Sequence, residues 1–330
     1  MKLIVPLAGK GTRLLPLTKR VPKPLVRVAG RPVMDYVMDA VAGRDIDELI
    51  VITGHLKEQV ERYITTRYGL PARFIEQRTL DGTAGAINLA RPYVDGPVLI
   101  VFVDTLFEAD LGVVRTVDAD GIVWAKEVED YQRFGVIVTD AQGYMRRIVE
   151  KPDTPISKLA NIGLYYMRDW RTLFEGIAHV MAQPAGKGGE FYLTDAFQYM
   201  VDRGRRLYTA AVTGWYDCGK VGTLLETNRH LLENGRARRP AGPVPTGVTF
   251  HDPVYVEDGV TIQDSEIGPN VTLETGSSVH GSTIVNSILG RDVRVVRGTV
   301  RDSLVGDGAV IEGRRLERSV LDGGELAPAR

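Results

Sequence analysis

Two cations stand close together near the start of the chain, Arg13 and Lys23. Pro16, Pro22 and Pro24 stiffen the segment that carries them. A glycine turn, Ala8-Gly9-Lys10-Gly11-Thr12, comes just before. Glycines directly after a buried strand let backbone N–H groups close around an anion. Two cations on a rigid loop beside such a cradle suit a triphosphate. The turn is neither a Walker loop nor a dinucleotide fingerprint, because Leu14 stands where the last glycine is needed. On its own the glycine turn is equally a structural turn; the cations favour the phosphate reading, with a solvated basic loop as the lesser alternative.

Further candidates follow along the chain. Gln77 precedes Asp81-Gly82-Thr83. A side-chain amide both donates to and accepts from a base edge, and Gly82 allows close backbone approach. The plainer reading of Gln77 is an exposed residue at a strand end. Asp104 follows the apolar run Val98–Val103, and open α/β sheets bind ligands beyond the carboxyl ends of their strands. It reads equally as a turn or cap residue. Asp217 lies in Trp215-Tyr216-Asp217-Cys218-Gly219-Lys220. Cys218, the single cysteine, reads as a small buried filler. Lys220 reads either as a phosphate contact or as the start of a helix. Glu150-Lys151-Pro152 is either a polar pair with work to do or a surface pair, and Gly135 is either close-approach backbone or a bulge. Thr194 and Asp195 read as helix caps. The five histidines are scattered without metal-ligand spacing.

These residues need elements to hold them. Leu3–Pro6, Leu49–Thr53, Phe74–Glu76 and Val98–Val103 read as short buried strands. Val33, Val37 and Val41 fall at i, i+4, i+8 and predict a helix over 32–42; Leu56, Val60 and Ile64 predict the next. A further helix is expected near 83–90. Alternating βαβ units imply a mostly parallel sheet with helices on both faces. Strands are expected at 121–127, 134–139, 145–149 and 161–167, and helices near 169–182, 193–203 and 221–233.

Composition then changes. Residues 241–330 hold 13 of the 36 glycines, no Lys, no Trp, and only Phe250 and Tyr255 as aromatics. Residues 235–247 pair breakers with charge and read as a linker. Beyond it, Ile267–Thr272, Leu273–Ser278 and Val279–Ile284 are six-residue units, each led by an aliphatic. That is a hexapeptide β-helix signature. Its phase slips near 285–288 and 301–304, where loops or extended turns are expected. The expected domains are 1–234, a linker 235–247 and a repeat domain 248–330.

The balance of 41 Lys+Arg against 42 Asp+Glu argues against a nucleic-acid-binding face. No apolar run is long enough to span a membrane. The start of the chain does not read as a signal peptide, and one cysteine cannot form an internal disulfide. A cytoplasmic, disulfide-free protein is expected.

Leu7-Ala8-Gly9-Lys10-Gly11-Thr12-Arg13-Leu14 through Pro22-Lys23-Pro24-Leu25 resembles the signature of the sugar-1-phosphate nucleotidyltransferases. The similarity spans essentially the whole chain, with the thymidylyltransferase and uridylyltransferase branch nearest. It implies a Rossmann-like mixed, mostly parallel sheet flanked by helices, followed by a short left-handed parallel β-helix. It implies a reaction of an NTP with a sugar 1-phosphate to give a nucleotide sugar and pyrophosphate, with Mg²⁺ as cofactor. Leu7, Ala8, Gly9, Gly11, Thr12, Gln77 and Gly82 would bind nucleotide. Gly135, Glu150, Lys151 and Asn161 would bind the sugar phosphate, with Gly163 keeping one wall thin. Asp104 and Asp217 would hold the metal, and Arg13, Lys23 and Lys151 would act on the phosphates. Val103 and Lys220 depart from the family's usual residues at their positions. A homo-oligomer is expected, because stacked coils leave an open end. Gly82-Thr83-Ala84-Gly85-Ala86 is similar also to mannose-1-phosphate guanylyltransferases. A non-catalytic relative would not need the charged set, and an acyltransferase would have only His280 in the repeats to work with.

Overall fold

The computed structural model describes residues 1–329. The chain packs as two compact units. One contains Met1–Gly9 and Val37–Trp215; the other contains Lys10–Tyr36 and the chain from Tyr216 onward.

The first unit is built on a nine-stranded mixed sheet. Lys2–Pro6, Glu48–Thr53, Ala72–Glu76 and Val98–Val101 run parallel. The first, second and fourth are almost continuously apolar, as strands covered on both faces must be; Ala72–Glu76, at the edge, carries Arg73 and Glu76. Leu159–Met167 then pairs antiparallel with Val98–Val101, Gly121–Glu127 and Gly135–Thr139. Met145–Glu150 closes one edge beyond Gly135–Thr139, and Leu207–Ala211 runs parallel to Gly121–Glu127 at another. Ile4, Ile50, Ile52, Ile100 and Val123 meet Leu173, Phe174, Ile177 and Phe197 in one buried core. The last four come from helices Trp170–Met181 and Leu193–Asp202, which carry apolar residues at 3.6-residue spacing. Asp169 caps the first of these by accepting from the Thr172 amide at 3.1 Å. The strand expected over Val98–Val103 ends at Val101, and a new short strand runs Thr105–Glu108. Asp104 therefore sits in the turn between two strands, not at the end of one.

The second unit contains a β-helix of three parallel sheets. Its interior is a column of aliphatics, including Val256, Leu273, Leu289 and Val305. Each such side chain contributes roughly 1.5–3 kcal/mol by leaving water. Strict hexapeptides on three faces would repeat every ~18 residues. The coils are shorter: Val254 lies beside Val271, 17 residues on, and Ser278 beside Arg294, 16 on. Near 285–288 and 301–304 the structure has tight corners where loops or extended turns were expected. Asn286 and Asp302 take positive φ there, which Asn and Asp tolerate better than most residues. The next residues, Ser287 and Ser303, are fully buried. The Ser287 hydroxyl donates to the Val285 carbonyl at 2.7 Å and accepts from the Ser303 amide at 3.2 Å. Ser303 does the same with Arg301 and with the Ser319 amide. Ser265 and Ser282 repeat the pattern at another corner. A ladder of serine hydroxyls thus gives acceptors to the corner amides, while the carbonyls beside them also accept a backbone amide from the next coil.

Residues 240–246 are exposed. Just before them Arg238 is bound to the first coil, its amide donating to the Val254 carbonyl at 2.8 Å. At the far end Glu325–Pro328 folds back antiparallel on Ser319–Asp322 and covers that edge. His280 is exposed on the outer wall.

Replacing Ser303 by Ala removes the hydroxyl that the Ser319 amide of the next coil donates to. We expect a loss of about 1–3 kcal/mol in unfolding free energy, read as a lower denaturant midpoint with unchanged slope. An unchanged midpoint would show that the ladder contributes no stability.

Candidate active site

In the first unit the site candidates gather around one irregularity. The strand Leu159–Met167 slips register against Gly121–Glu127 between Asn161 and Tyr165. Gly163 lies within the slip at φ +80, where an added Cβ would press on Phe102 at 3.0 Å. Its carbonyl accepts from the Phe102 amide at 2.9 Å. The slip re-aims the neighbouring side chains, as bulges do beside active sites. The Asn161 amide donates to the Gly135 carbonyl at 2.8 Å, and its oxygen accepts from the Tyr165 hydroxyl. A side chain on Gly135 would collide with Asn161, Glu150 and Thr194. Gly135, Glu150 and Asn161 are therefore brought together, and the glycine is there because of its neighbours.

Glu150 is half-buried at the end of its strand. It accepts from the Thr194 hydroxyl at 3.1 Å. Thr194 lies inside the helix Leu193–Asp202, whose first turn has no side-chain cap. The expected capping role of Thr194 and Asp195 is thus replaced: Thr194 orients Glu150. Burial is the largest influence on Glu150 and pushes its carboxyl above the ordinary range, against the Thr194 hydrogen bond and the Lys151 charge. Burial likewise raises Tyr165, and the negative charges of Glu150 and Asp104 add to it. Lys151 takes a positive φ. Its amide is held by the Phe134 carbonyl at 2.9 Å. Its ammonium lies 4.8 Å from the Tyr192 ring centre and 3.5 Å from the Tyr192 hydroxyl, which itself donates to the Lys187 carbonyl. Tyr165, Tyr192 and Thr194 were not legible as site residues. The available signal was the run Tyr192-Leu193-Thr194 at a helix start, which reads as capping chemistry.

Gln77 is buried, not an exposed strand end. Its amide donates to Asp81 at 2.9 Å and to the Gly82 carbonyl at 3.3 Å. Gly82, at φ +109, packs against the Phe191 backbone so closely that a Cβ would overlap it. The Phe191 amide donates to the Asp81 carbonyl at 2.7 Å, and the Thr83 hydroxyl accepts from the Leu193 amide at 2.9 Å. The segment 77–83 is therefore tied to the helix start that holds Glu150. Leu7 and Ala8 are buried, with the Leu7 amide donating to the Ile52 carbonyl at 2.7 Å. Gly9 is exposed, with nothing near its missing side chain.

In the second unit Gly11 opens a short turn, Thr12–Leu14, at φ +63. A Cβ there would press on Thr18 at 2.9 Å and Lys23 at 3.2 Å. Thr12 and Arg13 lie on this turn, and Arg13 is exposed. Asp217 accepts from the Gly219 amide at 2.6 Å and the Thr223 hydroxyl at 3.1 Å. The missing Gly219 side chain would lie 3.6 Å from the Lys23 ammonium. Gly11, Lys23, Asp217 and Gly219 thus share one neighbourhood. Lys220 caps the helix Val221–Leu231 with its backbone, not its side chain. Cys218 is buried.

Among the described residues no three His, Cys, Asp or Glu side chains form a ready metal cage. Mg²⁺ is commonly held by one or two carboxylates with substrate phosphates and water. Asp104 and Asp217 are hard oxygen donors of that kind. Asp217 is oriented by two hydrogen bonds, and the hard carboxylate oxygens of each residue suit such an ion.

A Rossmann-like sheet followed in sequence by a β-helix fits a nucleotidyltransferase class. The family model "Nucleotidyl transferase" matches residues 2–234, and the chain belongs to the sugar-1-phosphate nucleotidyltransferase family. It is 30% identical to a glucose-1-phosphate thymidylyltransferase of Streptomyces griseus, over 97% of this chain and 92% of that one. It is 29% identical to the bifunctional protein GlmU of Methanococcus aeolicus, over 93% and 78% of the respective lengths. A crystal structure of UDP-glucose pyrophosphorylase complexed with UDP-glucose matches with a TM-score of 0.62 at 25% identity, covering 71% of this chain and 98% of that one.

The Glu150 environment has a pH signature. Its raised carboxyl gains a proton at a higher pH than an exposed carboxylate does. On acidification it gains an O–H and loses part of its capacity to accept hydrogen bonds. We expect KM for the sugar 1-phosphate to rise as pH falls below neutrality, more steeply in the wild type than in Glu150→Gln. Each protein meets the same ionisation of the substrate, so parallel profiles would remove Glu150 from sugar recognition.

Proposed function

We propose that the enzyme joins dTTP or UTP to glucose 1-phosphate, releasing pyrophosphate. The observation that carries this is the cluster of Gly135, Glu150, Asn161 and Lys151 at the strand slip. A half-buried carboxylate and an amide would there offer hydrogen bonds to sugar hydroxyls beside a cation for the phosphate. A GTP and mannose 1-phosphate enzyme is the second reading, favoured by Gly82-Thr83-Ala84-Gly85-Ala86.

The sugar phosphate is already an oxyanion near neutral pH, so its attack needs no general base. A phosphate oxygen attacks the α-phosphorus in line. The bond from the α-phosphorus to the bridging oxygen breaks, and pyrophosphate leaves with that oxygen's electron pair. The barrier lies in bringing anions together and stabilising the leaving group, so positioning and electrostatics carry the rate. In this reading Arg13 and Lys23 neutralise the triphosphate and the departing pyrophosphate. The backbone of Leu7, Ala8, Gly9, Gly11 and Thr12 lines the nucleotide, while Gln77 and Gly82 read its base. Lys151 anchors the attacking phosphate. Asp104 and Asp217 hold the divalent cation, proposed as Mg²⁺, which when bound supplies charge neutralisation at the phosphates. The catalytic domain is proposed as 1–234, with 248–330 as the repeat domain and a homo-oligomer as the working form.

A pyrophosphate-release matrix of NTPs against sugar 1-phosphates, with Mg²⁺ and with chelator, tests the reading. We expect the largest kcat/KM for dTTP or UTP with glucose 1-phosphate, and loss of turnover with chelator. A maximum at GTP and mannose 1-phosphate would replace it with the second reading. Lys151→Ala should lower kcat/KM for the sugar phosphate by about 10²–10³, the usual cost of one charge-stabilising donor. Unchanged kinetics would take Lys151 out of the site.

A further inference from the structure

Four residues after Lys23 stands Arg27, a guanidinium turned into the second unit. Its Nε donates to Glu274 at 2.6 Å. One terminal nitrogen reaches Glu257 at 3.1 Å and the Gly30 carbonyl at 2.5 Å. Glu274 belongs to the β-helix and is only 1% exposed. Burial is costly for this carboxyl and pushes it up to about 7, with Arg27 the first influence opposing the shift. Its second oxygen makes no hydrogen bond, and Arg291 stands 3.9 Å from it. Among the described residues, Arg27 is thus the one group that hydrogen-bonds this buried carboxylate. A β-helix wall needs no acid in its interior for stability, since an apolar pair of similar volume would serve as well or better.

The rest of the segment is set the same way. The Ala29 amide donates to the side chain of Asn228, fully buried, at 2.9 Å. The same Asn228 oxygen accepts from the Thr272 hydroxyl at 2.8 Å. Gly30 lies so close to the Tyr255 ring that any Cβ would overlap it. On the other side of Lys23, Lys19 pairs with Glu325 at 2.6 Å and Arg20 with Asp322 at 3.8 Å. Lys23 is therefore flanked by attachments to the β-helix on both sides, and Arg13 precedes the first of them.

We propose that Arg27 and Glu274 are positioning residues: their ion pair fixes the segment that carries Arg13 and Lys23, so that nucleotide handling depends on the β-helix. This rests on the reading of those two cations as triphosphate groups. The role concerns geometry. A shift of about 1 Å in a positioned group can cost on the order of a hundredfold in rate.

Four variants of the full chain separate the possibilities: Lys23→Ala, Arg27→Lys, Arg27→Met, and the double variant Arg27→Met with Glu274→Leu. Thermal midpoint is measured with kcat and KM for each substrate. Arg27→Met should lower stability, because it leaves a buried acid without its partner. The double variant should recover the midpoint, yet kcat/KM for the NTP should stay about tenfold to a hundredfold down. KM for the sugar 1-phosphate should not move. Arg27→Lys, which keeps charge but loses the fork, should lie between. Wild-type NTP kinetics in a stable double variant, with Lys23→Ala impaired, would overturn the proposal and leave the cation assignment standing. Unimpaired Lys23→Ala would instead overturn that assignment, and the proposal with it.

Discussion

The register slip in Leu159–Met167 is the constraint on which the first unit depends. That strand pairs with three others, Val98–Val101, Gly121–Glu127 and Gly135–Thr139. A regular strand there would send Asn161 and Tyr165 to positions set by simple alternation. The slip at Gly163 breaks the alternation, so Asn161 meets Gly135 and Tyr165 meets Asn161. The pleat does the coarse placement, and the irregularity does the fine placement. Buried hydrogen-bond partners then lock each side chain, because any polar group left unpaired there costs about 1–3 kcal/mol.

The second unit solves a different problem. An enzyme that handles several anions needs cations, yet this chain carries a formal net charge of −1. It therefore has no broad basic field to offer. The cations proposed for the phosphates, Arg13 and Lys23, lie instead on one short segment. Gly11 lets Thr18 and Lys23 close up beside the turn, and Asp217 is oriented by Gly219 and Thr223. Held charges lose less entropy when they meet a substrate than solvated ones do. The β-helix, read from sequence as a passive stack, is chemically attached to the segment that supplies these cations.

Much of this was legible from the residues. The parallel strands announced themselves as short apolar runs, and helices such as Trp170–Met181 as 3.6-residue stripes, because both periods follow from local backbone geometry. The opening signature marked Gly11, Arg13 and Lys23. What stayed hidden was relational. Asp302-Ser303 reads as two polar residues and gives no hint of a buried hydroxyl ladder, since the partner amide is 16 residues away. Thr194 reads as a cap because capping is the local use of Thr, whereas its actual partner, Glu150, is 44 residues distant.

The sequence by itself determined the parallel βαβ start, the change to a repeat after residue 240, and the family, since each is written in local periodicity or contiguous motif; it did not show the strands Thr105–Glu108 and Leu207–Ala211. Only the tertiary structure decided that Gln77 is buried, that the β-helix coils run 16 or 17 residues, and that Arg27 is paired 247 positions away with Glu274. The reason is physical. Whether a polar residue is solvated or paired depends on what desolvates it, and that neighbour is chosen by packing between segments far apart along the chain.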